Sequence, residues 1–331
     1  MTEGSANKLL DVRNLYVEYL TTRGPCQAVN DVTFSISPGE VFGLAGESGC
    51  GKSTIAHAIL RVLRPPGVIT GGQILYKGAD VLEMDRENGA SSLESFRWAE
   101  VAMVFQSAMN SLNPVTRIST QIIDVIMAHQ DVTKDQARAR AEELMDFVNI
   151  EKGRLNSYPH ELSGGMRQRA VIAIALALNP SLLIMDEPTT ALDVVVQKDI
   201  LQQIEELQKQ LGFAILFITH DLSLMVEISD RIAIMYAGEL VEMAPARTIL
   251  NDPIHPYTQG LLTSFPSITG PRSELSGIPG SPPDLINPPS GCRFHPRCTC
   301  CNPVETEVVP KLTEIRPGHW VAVHDGMPLP D

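Results

Sequence analysis

The spacing of hydrophobic and polar positions changes several times along the chain. In residues 9–40, apolar side chains alternate with polar ones through Leu15-Tyr16-Val17-Glu18-Tyr19 and again through Val32-Thr33-Phe34-Ser35-Ile36. That period predicts two antiparallel strands with one buried face each, joined by polar turns. Val41-Phe42-Gly43-Leu44-Ala45 is continuously apolar and predicts a strand buried on both faces. After a glycine-rich turn, Thr54-Ile55-Ala56-His57-Ala58-Ile59-Leu60 continues as a helix. Apart from a short strand over 101–105, residues 93–174 read as mostly helical. Within them Thr133-Lys134-Asp135-Gln136 forms a capping-box pattern ahead of 137–148, where Leu144, Phe147 and Val148 fall on one helical face. Leu182-Leu183-Ile184-Met185 and Ala214-Ile215-Leu216-Phe217-Ile218 are β-rich apolar runs separated by a helical stretch over 195–211. This order predicts a βαβ crossover in a buried parallel sheet.

Beyond residue 265 the texture changes, for 13 of the chain's 24 prolines lie there, in runs such as Gly280-Ser281-Pro282-Pro283. Helices cannot continue through such a segment. The expected layout for 331 residues is therefore a main domain over 1–265 and an extended appendage over 266–331. The appendage is expected to carry mixed short strands and little core of its own, packed on the main domain or a neighbour.

Charge and hydropathy narrow the class. Lys+Arg 26 against Asp+Glu 39 gives a net charge of −13 with no basic block. That balance repels nucleic-acid phosphates, so no nucleic acid partner is expected. The apolar runs are far shorter than the roughly 20 residues needed to cross a bilayer. Met1-Thr2-Glu3-Gly4 opens with neither the basic nor the apolar region of an export signal, which predicts a cytoplasmic protein. In a reducing compartment Cys26 and Cys50 read as free thiols.

The turn after the strand at 41–45 carries the candidate chemistry. Gly46-Glu47-Ser48-Gly49-Cys50-Gly51-Lys52-Ser53 fits the pattern G-x-x-x-x-G-K-S. In that pattern backbone N–H groups face phosphate oxygens and a lysine adds a point charge. The candidate nucleotide site thus takes in Gly46, Ser48, Gly49, Cys50, Gly51, Lys52 and Ser53, with Thr54 at the α-phosphate and the Ser53 hydroxyl as a hard oxygen ligand for Mg²⁺. Asp186 ends an apolar run, at the tip of a predicted buried strand, where a carboxylate can orient the metal. Glu187 is then the candidate for polarising the attacking water, a task the metal-binding Asp186 cannot also perform.

Leu162-Ser163-Gly164-Gly165-Met166-Arg167-Gln168, lying shortly before Asp186-Glu187 and far downstream of the phosphate loop, adds more. With the other motifs it resembles the ABC-type ATPases. The resemblance implies an α/β fold: a P-loop ATPase with a mixed sheet core, an antiparallel β subdomain, an inserted helical subdomain over about 93–174 and a Pro/Cys-rich C-terminal appendage. It also implies that Ser163, Gly164 and Gly165, at a helix N-terminus, grip the γ-phosphate of ATP held by an opposite subunit. Gln106 matches the glutamine that reaches metal and water, and His220 the switch histidine at the γ-phosphate. Asp193, in Ala191-Leu192-Asp193, lies in the loop that crosses the dimer seam. Tyr19 is the candidate for stacking on adenine, placed there by its distance from the phosphate loop. Such a pair closes on ATP and reopens on hydrolysis, driving a transmembrane partner whose coupling helices dock near Gln106.

Ser111-Leu112-Asn113-Pro114, His255-Pro256-Tyr257-Thr258 with Leu261-Leu262, and Gly291-Cys292-Arg293-Phe294-His295-Pro296-Arg297-Cys298 are similar to stretches in ATPase subunits of oligopeptide and dipeptide importers. That branch also serves nickel and some oligosaccharides. The resemblance implies two permeases, a second similar ATPase or a second copy of this chain, an extracellular solute-binding protein, and a place on the cytoplasmic face of the membrane. The branch often carries a four-cysteine [4Fe–4S] site, and this chain offers Cys292, Cys298, Cys300 and Cys301. The spacing departs from the family: Glu305 and Val323 stand where its third and fourth cysteines usually lie, and adjacent Cys300 and Cys301 poorly suit two corners of one cubane. A cluster, zinc with His295 or His319, and unligated thiols all stay open. The competing reading is a soluble ABC ATPase of repair, translation or iron–sulfur assembly.

Overall fold

The computed structural model describes residues 8–84, 90–106, 111–190, 192–264, 277–300 and 303–323. Its strands, in chain order, are β1 (Leu10–Thr21), β2 (Gly24–Ile36), β3 (Val41–Ala45), β4 (Gly67–Tyr76), β5 (Ala79–Asp80), β6 (Val101–Val104), β7 (Leu182–Asp186), β8 (Ala214–Thr219), β9 (Arg231–Tyr236), β10 (Glu239–Pro245), β11 (Lys311–Arg316) and β12 (His319–Val323). The described residues divide into two compact units.

The first unit comprises the described residues within Met1–Leu9, Ile36–Glu40 and Glu83–Phe217. Its sheet portion has the order β8-β7-β6, with β6 and β7 parallel in the register Val101↔Leu182 to Val104↔Met185. Every residue of β7 is buried, as a continuous apolar run requires. The helix Val194–Leu211 fills the interval between β7 and β8. Helices Ile118–His129, Lys134–Phe147 and Gly164–Ala175 supply the helical part. The predicted capping box is formed: Thr133 N donates to Gln136 Oε1 at 2.8 Å, and Gln136 N donates to Thr133 Oγ1 at 3.3 Å. From that start Ala137, Ala141, Leu144 and Val148 form a fully buried stripe. Removing Leu144 or Val148 from water contributes about 1.5–3 kcal/mol each. Phe147 stays half-buried under the guanidinium of Arg140, 5.7 Å from its ring centre.

The second unit comprises the described residues within Leu10–Ser35, Val41–Leu82 and Ile218–Asp331. One sheet has the order β2-β1-β4-β5, with β1 antiparallel to β4 from Leu10↔Tyr76 to Tyr19↔Gly67. The alternation anticipated β1 and β2 but not β4, whose glycines at 67, 71 and 72 interrupt the apolar pattern. The other strands follow the order β11-β12-β10-β9-β3, in which β3 and β9 are parallel and the remaining neighbours antiparallel.

The proline-rich C-terminal segment packs within this unit. β12 pairs with β10 through Glu242↔Val321 and Met243↔Trp320. Buried Phe294 meets Tyr236 edge-on at 5.1 Å and Tyr257 at 5.3 Å between ring centres. Fully buried Glu242 accepts from His319 Nε2 at 2.8 Å, Ile254 N at 2.9 Å and His255 N at 3.0 Å. Proline forbids helix here but not pairing at a sheet edge, and the paired carboxylate shows how a polar group is tolerated in that core. Among the described residues no helix is long and apolar enough to cross a membrane.

Candidate functional site

β3 ends at Ala45, and the chain turns through residues 46–51 into the helix Lys52–Ile59. The turn needs glycine at its two ends. Gly46 has φ +153° and Gly51 φ +110°, and a Cβ at either position would lie 2.1 Å from a backbone oxygen, that of Met235 or Ala28 respectively. Close backbone approach and torsions that side chains rarely adopt thus fix the course of the loop ahead of a helix N-terminus. Lys52 is only 5% exposed, and its ammonium lies across this loop, donating to Gly46 O at 2.7 Å and Glu47 O at 2.9 Å. A cation held by carbonyl oxygens, beside amides without helical partners, suits an anion such as a triphosphate. Burial pushes the Cys50 thiol up from its ordinary range, while the nearby Lys52 ammonium pulls it down.

Tyr19, on β1, and Thr54, in the first turn of the helix, are joined by a 3.3 Å hydroxyl–hydroxyl hydrogen bond. The adenine candidate therefore stands beside the α-phosphate candidate. His220 follows β8 and is exposed, and its neighbour Asp221 caps the helix Leu222–Ile228 by accepting from Ser223 N and Leu224 N.

The remaining candidates belong to the first unit. Asp186 closes β7 and is 2% exposed. Glu187 follows with φ +47°, an uncommon value for a residue with a side chain and a form of strain that gathers at functional sites. Its Oε2 accepts from Gln106 Nε2 at 2.9 Å and from Thr190 Oγ1 at 3.1 Å. Ser163 is the N-cap of Gly164–Ala175, accepting from Met166 N at 3.3 Å. Asp193 is the N-cap of Val194–Leu211, accepting from Val196 N at 3.0 Å. Gly164 and Gly165 thus open a helix as expected, with amide donors unused by that helix. Ala191 lies outside the described residues.

The cysteines are a different matter. Among the described residues no group of three or more His, Cys, Asp and Glu side chains is placed to hold a metal ion. Cys298 Sγ and Cys300 Sγ lie 3.4 Å apart, Cys292 is buried, and Cys301 lies outside the described residues. Each of the two histidines considered for zinc has one ring nitrogen in a hydrogen bond: His319 Nε2 with Glu242, and His295 Nδ1 with Cys292 O at 2.9 Å. Among the described residues, then, the side chains form no site for a cluster or a zinc ion.

Reading the sequence did not single out Glu47, Thr190, Tyr257 or Arg297 as site residues. Thr190 had a local signal, three positions beyond Glu187. Arg297 lay in a stretch noted for its likeness to importer ATPases, but nothing local pointed to its partner Glu47, 250 positions away.

The family described as ABC transporter matches residues 29–190, and that described as the oligopeptide/dipeptide transporter C-terminal region matches residues 241–303. The oligopeptide transport ATP-binding protein OppD of Bacillus subtilis (strain 168) is 43% identical over 318 residues, covering 95% of this chain and 88% of its own. The dipeptide transport ATP-binding protein DppD of Caldanaerobacter subterraneus subsp. tengcongensis is 40% identical over 326 residues, covering 97% and 99%. Among solved structures, the dimeric bacterial ABC transporter cassette MJ0796 superposes with a TM-score of 0.63 at 27% identity, covering 72% of this chain and 99% of that one.

Proposed function

This chain belongs to the ABC transporter family of ATPases, in its oligopeptide/dipeptide branch, and on that premise we propose how its residues power an importer. It is the ATP-binding and ATP-hydrolysing subunit, and the solute carried is an oligopeptide, a dipeptide or a related small solute such as an oligosaccharide or nickel. It works at the cytoplasmic face of the cell membrane, with two permease subunits, an extracellular solute-binding protein and a second ATPase, homologous or identical. The observation that carries the reading is the lysine laid across a glycine-enforced loop, Lys52 Nζ on Gly46 O and Glu47 O.

In this mechanism Lys52 exchanges those two carbonyl oxygens for phosphate oxygens when ATP enters, and the amides of residues 49–53 hold the β- and γ-phosphates. The Ser53 hydroxyl, Gln106 and Asp186 would hold Mg²⁺, which when bound would supply neutralising charge at the phosphates. Glu187, steadied by Gln106 and Thr190, orients the attacking water and accepts its proton. His220 contacts the γ-phosphate, and Tyr19 stacks on adenine. Ser163, Gly164 and Gly165 present a hydroxyl and helix N-terminal amides to the γ-phosphate held by the other ATPase, and Asp193 stands at the seam. Each ATP then bridges two subunits, and hydrolysis releases them. The cysteines enter no step.

The alternative of a soluble ABC ATPase in repair, translation or cluster assembly is disfavoured by the transporter-type match over residues 241–303. The deciding experiment is mass spectrometry of proteins that co-purify with this chain from gently solubilised native membranes. Two polytopic permeases with an ATPase pair support the importer, whereas soluble partners alone overturn it.

A further inference from the structure

We propose that Arg297, in the C-terminal segment, is a positioning residue for nucleotide binding: its fork on Glu47 holds the phosphate loop in shape and cancels the loop's own negative charge. The inference rests on the reading of residues 46–53 as the nucleotide site.

Glu47 is the second residue of that loop, and each of its polar groups is engaged. Its N–H donates to the Tyr257 hydroxyl at 2.9 Å, and its carbonyl oxygen accepts from Lys52 Nζ at 2.9 Å. Its carboxylate receives Arg297 in bidentate fashion, Nη1 to Oε2 at 2.6 Å and Nη2 to Oε1 at 3.0 Å. The Arg297 side chain is 5% exposed, and its Nε donates to Pro279 O at 2.7 Å, which fixes the plane of the fork. A buried, bidentate arginine imposes direction as well as charge, which a lysine cannot do.

Two consequences follow for ATP. The loop gathers amides and an ammonium for a highly negative ligand, and Glu47 places a carboxylate in the same loop. Paired with Arg297 it contributes no net charge; unpaired, it opposes the triphosphate. Further, Lys52 must leave the Glu47 carbonyl to reach phosphate, and at that moment Tyr257 and Arg297 are what keep residue 47 in place. Loss of Arg297 should therefore weaken ATP binding and leave the chemical step unaltered.

The test is equilibrium titration of the full-length chain with MgATP, together with KM and kcat in the assembled transporter. Arg297→Ala is expected to raise Kd and KM about tenfold with kcat at saturating ATP held within about twofold. Adding Glu47→Gln to Arg297→Ala should recover affinity to within about threefold of wild type, because the unpaired charge is gone. The proposal is overturned if folded Arg297→Ala binds as wild type, or if the double variant binds as weakly as Arg297→Ala. Should Arg297→Ala not fold, Arg297→Lys decides: about threefold weaker binding is expected, and wild-type affinity overturns the positioning role. Lys52→Ala separates the two levels of the argument. Undiminished binding in that variant removes the nucleotide reading itself, whatever Arg297 does.

Discussion

Gln106 Nε2 donates to Glu187 Oε2 at 2.9 Å, joining the end of β6 to the end of β7 across 81 positions of sequence. The parallel pairing of β6 with β7 carries the two strand ends to the same edge, and the positive φ of Glu187 accompanies a carboxylate shared by Gln106 and Thr190. The carboxylate is held by two donors before any water arrives, so its orientation needs no further ordering.

From this follows a separation of binding from turnover. Glu187→Gln should lower kcat by about 100-fold or more, the usual contribution of a positioned base, with ATP affinity retained. Gln106→Ala leaves Glu187 held by Thr190 at the same oxygen but removes a proposed Mg²⁺ ligand, so kcat should fall less than in Glu187→Gln at saturating Mg²⁺ and more Mg²⁺ should be needed to reach it. Phosphate release and nucleotide binding measured on the same assembled complex check both expectations.

Gly51→Ala should disable the phosphate loop. The new Cβ would meet the Ala28 carbonyl oxygen at 2.1 Å and force a side chain into φ +110°. Backbone strain of that kind costs about 1–3 kcal/mol before the clash is counted. A lowered midpoint in thermal unfolding together with lost MgATP binding is expected.

Thr133→Ala is the contrasting case. It removes the Thr133 hydroxyl from the capping box that starts Lys134–Phe147, and should cost about 1 kcal/mol. Denaturant unfolding should register that loss, with the ATP affinity unchanged.

Thiol labelling should divide the cysteines by environment. Burial raises the Cys50 thiol above its ordinary range, so at neutral pH it stays protonated as well as covered. Among the cysteines of the described residues, exposed Cys300 should be alkylated first in the native chain, with Cys50 reacting only on unfolding, as peptide mapping after timed iodoacetamide treatment would reveal. The sign for stability follows from the same shift. The folded chain holds this proton more tightly than the unfolded one, so the contribution is complete below the ordinary thiol range and is lost as pH rises through the raised value.

What the sequence determined by itself is whatever depends on near neighbours in the chain. The strand–turn–helix at 41–59 was legible because a continuous apolar run, a glycine pattern and a helical repeat sit side by side, and the Thr133–Gln136 cap because its partners are three positions apart. Asp186 was readable at the end of an apolar run, and Ser163 at a helix start. Tertiary structure decided the rest. β4 was concealed by its glycines and takes its place through pairing with β1 and β5. The bond between Tyr19 and Thr54 requires β1 and the phosphate-loop helix to be brought together. The pairing of Gln106 with Glu187 requires two parallel strands, and that of Arg297 with Glu47 requires the proline-rich segment to fold back over 250 positions. The same folding brought His319 to Glu242, a partner 77 positions away that no local pattern announced. Periodicity and capping report local backbone preference, whereas the partner of a charge or a hydroxyl is set by which surfaces the core brings into contact.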